Sequence, residues 1–319
     1  MLRLPVSLMS PGGASARLSI LIFHRVLPAH DPLNPDEPDA GEFEQRMRWV
    51  RSWFDVLPLG EAVQRLRENR LPARAMSITF DDGYADNEAV AAPILQRLGL
   101  PATFFISTGY LDGGCMWNDR VIEAVRHCSD AMLDLTPLGL AAYPLTTPAQ
   151  RRAAVVAILN GIKHLDPAQR ARRTTQIVVA CGDRPSPALM MSGDQLRRLR
   201  ASGMEIGAHT VTHPILTRLD LESARSEMAE GKAALERLLG EPVSLFAYPN
   251  GVPGQDYAAE HARLARECGF EAAVSTAWGA ARAGTDLFQL PRFTPWDRSR
   301  LRFGARLLAN LARRQIRFA

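Results

Sequence analysis

No stretch of this 319-residue chain approaches ~18 consecutive apolar residues, so a membrane-spanning helix is not expected. Cysteine is scarce: Cys115, Cys128, Cys181 and Cys268 are widely spaced and form no Cys-x-x-Cys pair. That pattern argues against a structural zinc cluster and a disulfide framework, and it suits a reducing compartment. The first ten residues include an arginine and several apolar side chains but no continuous apolar core, so the expected location is cytoplasmic, without a secretory leader. No internal repeat or low-complexity segment stands out. Aromatic residues do not interleave with the basic ones, which argues against a nucleic-acid partner.

What is present is ordinary for a globular protein: 46% hydrophobic and 23% charged residues, over a length that a single barrel can use. The net charge of +4 is unevenly placed, with seven arginines between Arg298 and Arg317. Leu301, Leu307, Leu308 and Leu311 fall near one helical face there. The expectation is a basic C-terminal helix over 299–319, packed on the body, with peripheral contact to an anionic membrane as the alternative.

Strands are expected at 18–23, 55–57, 76–80, 102–107, 204–208, 244–247, 271–275 and 288–293, from short apolar runs bounded by Gly, Pro or Asp. Between them, Phe43, Met47, Val50 and Phe54 recur at helical spacing, and 60–70, 85–98, 192–203, 220–239 and 256–268 read as helices. Ser192 and Gln195 have capping-box form, Asp220 is a cap, and Gly99 and Gly240 are stops. Strands alternating with helices predict an α/β fold around a parallel sheet. Residues 109–191 show no comparably clear strand and read as an insertion, with helices near 118–128, 148–159 and 167–179. The expected division is a main unit over 1–298, interrupted by that insertion, and the C-terminal helix.

The chemistry concentrates where strands end. The run Met76 to Phe80 stops at Asp81-Asp82-Gly83. Adjacent carboxylates repel, and a divalent cation would keep both ionised, one as ligand and the other as base. An inert acidic turn is the plainer alternative. Far along the chain, Glu205 to Ala208 breaks into His209-Thr210-Val211-Thr212-His213-Pro214, where Pro214 and three β-branched residues favour a loop over a helix. Two histidines and one carboxylate make a common catalytic zinc set with a position left for water. His24, Asp81, Asp82, His209 and Tyr248 all lie at or just past expected strand ends, with Arg292 near one. In a β/α barrel those ends share one face, where active sites form.

Thr79-Phe80-Asp81-Asp82-Gly83 and His209-Thr210-Val211-Thr212-His213-Pro214 resemble the first two motifs of the polysaccharide deacetylase family, which carries the NodB homology domain. Phe246-Ala247-Tyr248-Pro249-Asn250-Gly251 is similar to its third. The resemblance implies a distorted, incomplete parallel (β/α) barrel. It also implies a metal-dependent hydrolase that removes N-acetyl groups from a polysaccharide, with zinc the leading metal and an N-acetylated glycan the partner. Action on a cyclic amide or small N-acetylated molecule, and non-catalytic glycan binding, are the alternatives. Position by position, it makes Asp82, His209 and His213 metal ligands and Asp81 the general base. The Tyr248-Pro249-Asn250 loop would supply the oxyanion donor, with Asn250 favoured because Pro249 has no N–H.

Two features depart from the family pattern. Its members usually place a general-acid histidine near the C-terminus, whereas the last histidine here is His261, inside an expected helix. His24 is the substitute, as in the subgroup acting on poly-N-acetylglucosamine. The third motif also lacks its usual arginine; Arg292 could pair with Asp81 instead, or sit in a surface ion pair, and Asp297 could tune His24. Trp117 in the insertion is a candidate sugar platform or a core residue.

Overall fold

The computed structural model describes residues 2–295, 297–313 and 315–319. Trp296, and Arg314 of the basic C-terminal stretch, lie outside the described residues. The strands, in chain order, are β1 (Ser19–Phe23), β2 (Asp55–Val56), β3 (Ala75–Phe80), β4 (Thr103–Ile106), β5 (Met132–Asp134), β6 (Ala142–Pro144), β7 (Glu205–Ala208), β8 (Leu245–Ala247) and β9 (Ala272–Val274). All but β5 and β6 form one curled sheet in the order β1-β3-β4-β7-β8-β9, with β2 against β3 and every pairing parallel. Every side chain of β3 is buried, which is why its sequence reads as a continuous apolar run rather than an alternation.

The expected strand at 288–293 is not a regular strand. Its single bridge pairs Leu290 with Val274, and Leu290 N donates to Ala273 O at 2.9 Å. On the other side Phe293 N donates to Ile20 O at 2.9 Å, and Ile22 N to Thr294 Oγ1 at 2.7 Å. This segment therefore spans the gap between β9 and β1, but Pro291 and Pro295 remove the donors a full ladder needs. The barrel closes through irregular backbone, and its regular sheet stays incomplete.

Helices pack on the sheet much as their stripes predict. In Ala40–Trp53, Phe43, Met47 and Val50 are buried, and Phe43 meets Phe23 and Phe80 at 5.4 and 5.7 Å between ring centres. The expected helix at 85–98 divides into a π-helical stretch, Asn87–Ala91, and an α-helix, Ala92–Leu98, ended by left-handed Gly99. Such wider turns occur often beside functional sites, and this one follows directly on the Asp-Asp turn. Asp220 caps Leu221–Leu239 by accepting from Ser223 N, and the Ser192–Gln195 box opens Gly193–Ala201.

Between β4 and β7 lie the helices Trp117–His127, Pro148–Ile162 and Pro167–Ala180, gathered around their own apolar cluster of Val121, Val125, Leu133, Leu145, Ile158 and Ile177. The segment also contains the antiparallel β5–β6 hairpin, which three-residue strands are too short to announce by alternation. The C-terminal helix is Arg300–Ala312 and stops before 319. It buries Phe303, Leu307 and Leu311, while Leu301, expected on the same face, is exposed. Beside it packs a helix the sequence did not suggest, Arg3–Met9, with Val6 buried. No helix among the described residues is long and apolar enough to cross a membrane.

Candidate active site

The chain leaves β3 in a tight turn. Asp81 N still donates to Phe23 O at 2.9 Å, but Asp82 and Gly83 have φ of 76° and 94°. A left-handed aspartate costs on the order of 1 kcal/mol or more, a strain typical of functional turns. The turn exposes both carboxylates to one cavity of about 370 Å³, although each residue is buried overall. Met191 N, from the segment between β4 and β7, donates to Gly83 O and closes the turn from above.

Asp81 lies against Arg292, which is buried too. The two guanidinium nitrogens meet the two carboxylate oxygens at 2.6 and 2.7 Å. Arg292 also donates to Thr79 Oγ1 and Ser275 O, so it is anchored to β3 and to the end of β9. A surface ion pair, the alternative reading of Arg292, is excluded by its 1% exposure. Burial alone would raise the Asp81 pKa; Arg292 first, then His209, outweighs it and holds the carboxyl below its usual range.

His209 follows β7 with its main-chain N–H bonded to Ile106 O. Its Nδ1 is 2.7 Å from Ala247 O, which accepts the ring proton and leaves Nε2 as the lone-pair donor. The loop is a turn rather than a helix, with Thr210 and His213 left-handed at φ of 65° and 53°. Glu227, on the long helix Leu221–Leu239, accepts from both Val211 N and Thr212 N at 2.8 Å. Gly231 allows that helix to approach, because a Cβ there would stand 3.0 Å from the Thr210 backbone.

These folds bring three donors together. Asp82 Oδ1 lies 3.4 Å from His209 Nε2 and 3.3 Å from His213 Nε2. Asp82 Oδ1 is buried and has no hydrogen-bond partner among the described residues. Ligands of a tetrahedral zinc, at ~2.0–2.1 Å from the ion, stand ~3.3–3.4 Å apart, so the set fits a divalent cation. Burial pushes the His213 pKa down to about 4, against the pull of Asp82, so the ring is neutral at pH 7 as a ligand must be. For Asp82, burial is outweighed by His213 and His209, and the carboxyl stays far below its ordinary range.

His24, at the end of β1, opens onto the same cavity, and its carbonyl accepts from Asn87 Nδ2 at 2.8 Å. The dense protein around it works to lower its pKa, but Asp82, Glu37 and Asp81 outweigh that and raise it. Glu37, in the Pro/Asp-rich loop before the first long helix, also lines the cavity and accepts from Arg25 N. Nothing in that loop's composition singles it out.

Asp297, expected as a possible partner of His24, is elsewhere: it is ion-paired with Arg306 on the C-terminal helix. Tyr248 also departs from expectation. Its ring stacks on Tyr257 at 3.9 Å, its hydroxyl donates to Phe288 O, and its N–H is bonded to Val274 O. It packs the core and offers nothing to a ligand. Pro249 has no N–H, whereas Asn250 lines the cavity in a left-handed conformation with φ of 59°. The Asn250 N–H forms no hydrogen bond with another described residue.

The segment between β4 and β7 supplies another wall, through Trp117, Asn118, Asn160, Lys163 and Arg170. Trp117 is thus a cavity residue, with the Arg170 guanidinium 4.9 Å from its ring centre.

Residues 68–135 and 162–273, over half the chain, match the family model described as polysaccharide deacetylase. YxkH of Bacillus subtilis (strain 168), named for the same family, is 22% identical over 279 residues, which is 87% of this chain and 71% of that protein. Among solved structures, the Streptococcus pyogenes deacetylase PplD in complex with acetate superposes with a TM-score of 0.61 at 20% identity, covering 93% of this chain and 99% of that one. IcaB from Ammonifex degensii gives 0.58 at 20% identity, with 93% and 97% covered. At these identities the structures establish likeness of fold.

Proposed function

Because the chain belongs to the polysaccharide deacetylase family, a family of hydrolases acting on N-acetylated glycans, we propose that it is a divalent-metal-dependent N-deacetylase whose machinery is the cavity around Asp81 and Asp82. The observation that carries this reading is the convergence of Asp82 Oδ1, His209 Nε2 and His213 Nε2 beside a second carboxylate bound by Arg292. A cation held by those three donors, most simply zinc, supplies the Lewis acidity that makes water a nucleophile at neutral pH.

The remaining work falls to the protein's own groups. Asp81, kept ionised by Arg292, takes the proton of the water that attacks the acetyl carbonyl carbon. Asn250 N–H is aimed at no other acceptor and donates to the carbonyl oxygen as it gains charge, worth ~3 kcal/mol of barrier for one such donor. His24, whose pKa is raised by the surrounding carboxylates, gives its proton to the departing amine nitrogen. Acetate and a free amino sugar result.

The test is acetate release from an N-acetylglucosamine oligomer by zinc-loaded protein. Wild type should release acetate, and Asp81→Asn should be slower by ~10²–10⁴-fold with metal content unchanged. Bound metal without acetate release from any glycan would overturn the proposal.

A further inference from the structure

Three arginines among the described residues are buried: Arg46, Arg170 and Arg292. Arg46 has Glu42 and Arg292 has Asp81 as carboxylate partners. Arg170 has none among the described residues. Its contacts are Trp117, beneath the guanidinium, and Lys163 O at 3.5 Å. Its other nitrogens are not sealed in the interior, and Arg170 lines the cavity that holds Asp81, Asp82 and the histidines. Half-buried Lys163, the residue that ends the neighbouring helix Pro148–Ile162, lines it too.

A buried guanidinium without a counter-charge is costly. The cost falls when an anion enters. A guanidinium forks onto carboxylate or phosphate through two parallel N–H donors, and Trp117 fixes the plane of this one from one side. The helices between β4 and β7 bring Trp117, Lys163 and Arg170 from three separate elements to one wall of the cavity. A purely structural arginine would not need to face the cavity.

We propose that Arg170 and Lys163 form an anion subsite, and that the glycan taken here carries a carboxylate or phosphate on the reacting sugar or its immediate neighbour. This rests on the deacetylase reading for its substrate, but not for the binding of an anion. A cavity of about 370 Å³ confines the anion to that short distance from the reacting centre.

The experiment compares three N-acetylglucosamine oligosaccharides of equal length: neutral, uronate-bearing and phosphate-bearing. Acetate release is measured with zinc-loaded protein, and binding to the metal-free protein by calorimetry. Wild type should favour at least one anionic substrate at least tenfold in kcat/KM, chiefly through KM; which one it favours separates carboxylate from phosphate. Arg170→Gln and Lys163→Gln should each lower that ratio severalfold or more, and Arg170→Lys should retain part of it. Equal losses on neutral and anionic substrates, or no anionic preference in wild type, would overturn the subsite while leaving the deacetylase reading intact. Absence of acetate from all three, with Arg170-dependent binding of an anionic one, would support the subsite and sink the deacetylase reading. Neither acetate nor binding would overturn both.

Discussion

Arg292 grips Asp81 with both terminal nitrogens, at 2.6 and 2.7 Å, across 211 positions of sequence and beneath the floor of the cavity. It reaches there from the irregular segment that spans the gap in the barrel, so closure of the fold and orientation of Asp81 depend on the same stretch. Breaking a buried pair by removing one partner typically costs about 3–5 kcal/mol, because the other charge is left alone. Arg292→Ala should therefore lower the unfolding free energy by that amount in urea titrations and abolish acetate release. Arg292→Lys keeps the charge but loses the fork, so it should recover part of the stability and little of the activity.

Cation binding should be visible as stability. Zinc at ~1,000 times its Kd should raise the unfolding free energy by about 4 kcal/mol, and a chelator should reverse it. The sheet and its apolar core do not depend on the ion, so the chelated protein should retain its far-ultraviolet circular dichroism. His213→Ala, at the rim of the site, should remove the zinc response without lowering the stability of the metal-free form by more than ~1 kcal/mol.

Glu37 is expected to act through His24 as a positioning residue. Burial works to lower the His24 pKa, and Asp82, Glu37 and Asp81 together raise it. Glu37→Gln removes one raising charge, so the imidazolium should lose its proton at lower pH. The alkaline limb of the kcat profile should move toward acid while KM changes little. An unchanged limb would remove Glu37 from the account.

Asp119 offers a test that does not depend on a bound cation. It accepts from the Tyr84 hydroxyl at 3.0 Å, and burial pushes its carboxyl from 3.8 up to about 7. The folded state thus holds a proton that the unfolded chain releases between pH ~4 and ~7. Its contribution to stability is present at acid pH and is lost as pH rises through about 7. Asp119→Asn should flatten this slope, seen by comparing urea midpoints at pH 5 and 7.5 for both proteins.

The parts of the site legible in sequence were those carried by strand ends. Asp81, Asp82, His209 and His213 announced themselves because a buried strand must break into polar residues where it surfaces. Arg292 was readable only as one of two possibilities, since nothing local tells a buried fork from a surface pair. Tyr248 misled because its strand-end position resembles that of Asp82 and His209, whereas its ring turns inward to stack on Tyr257. Asp297 pairs with Arg306 on the C-terminal helix, a partner that the expected docking of that helix did not single out. Glu37 and Glu227 were missed because a lone glutamate in a loop or on a helix looks solvated, and nothing local shows that it turns back onto the site loops. The β5–β6 hairpin escaped because three residues cannot establish a period.

The most direct test of the central claim is anomalous diffraction at the zinc edge from crystals grown with zinc. The account predicts one peak within bonding distance of Asp82 Oδ1, His209 Nε2 and His213 Nε2, absent in crystals of His213→Ala. A zinc peak bound elsewhere, or no peak among those three atoms in the wild-type protein, would contradict it.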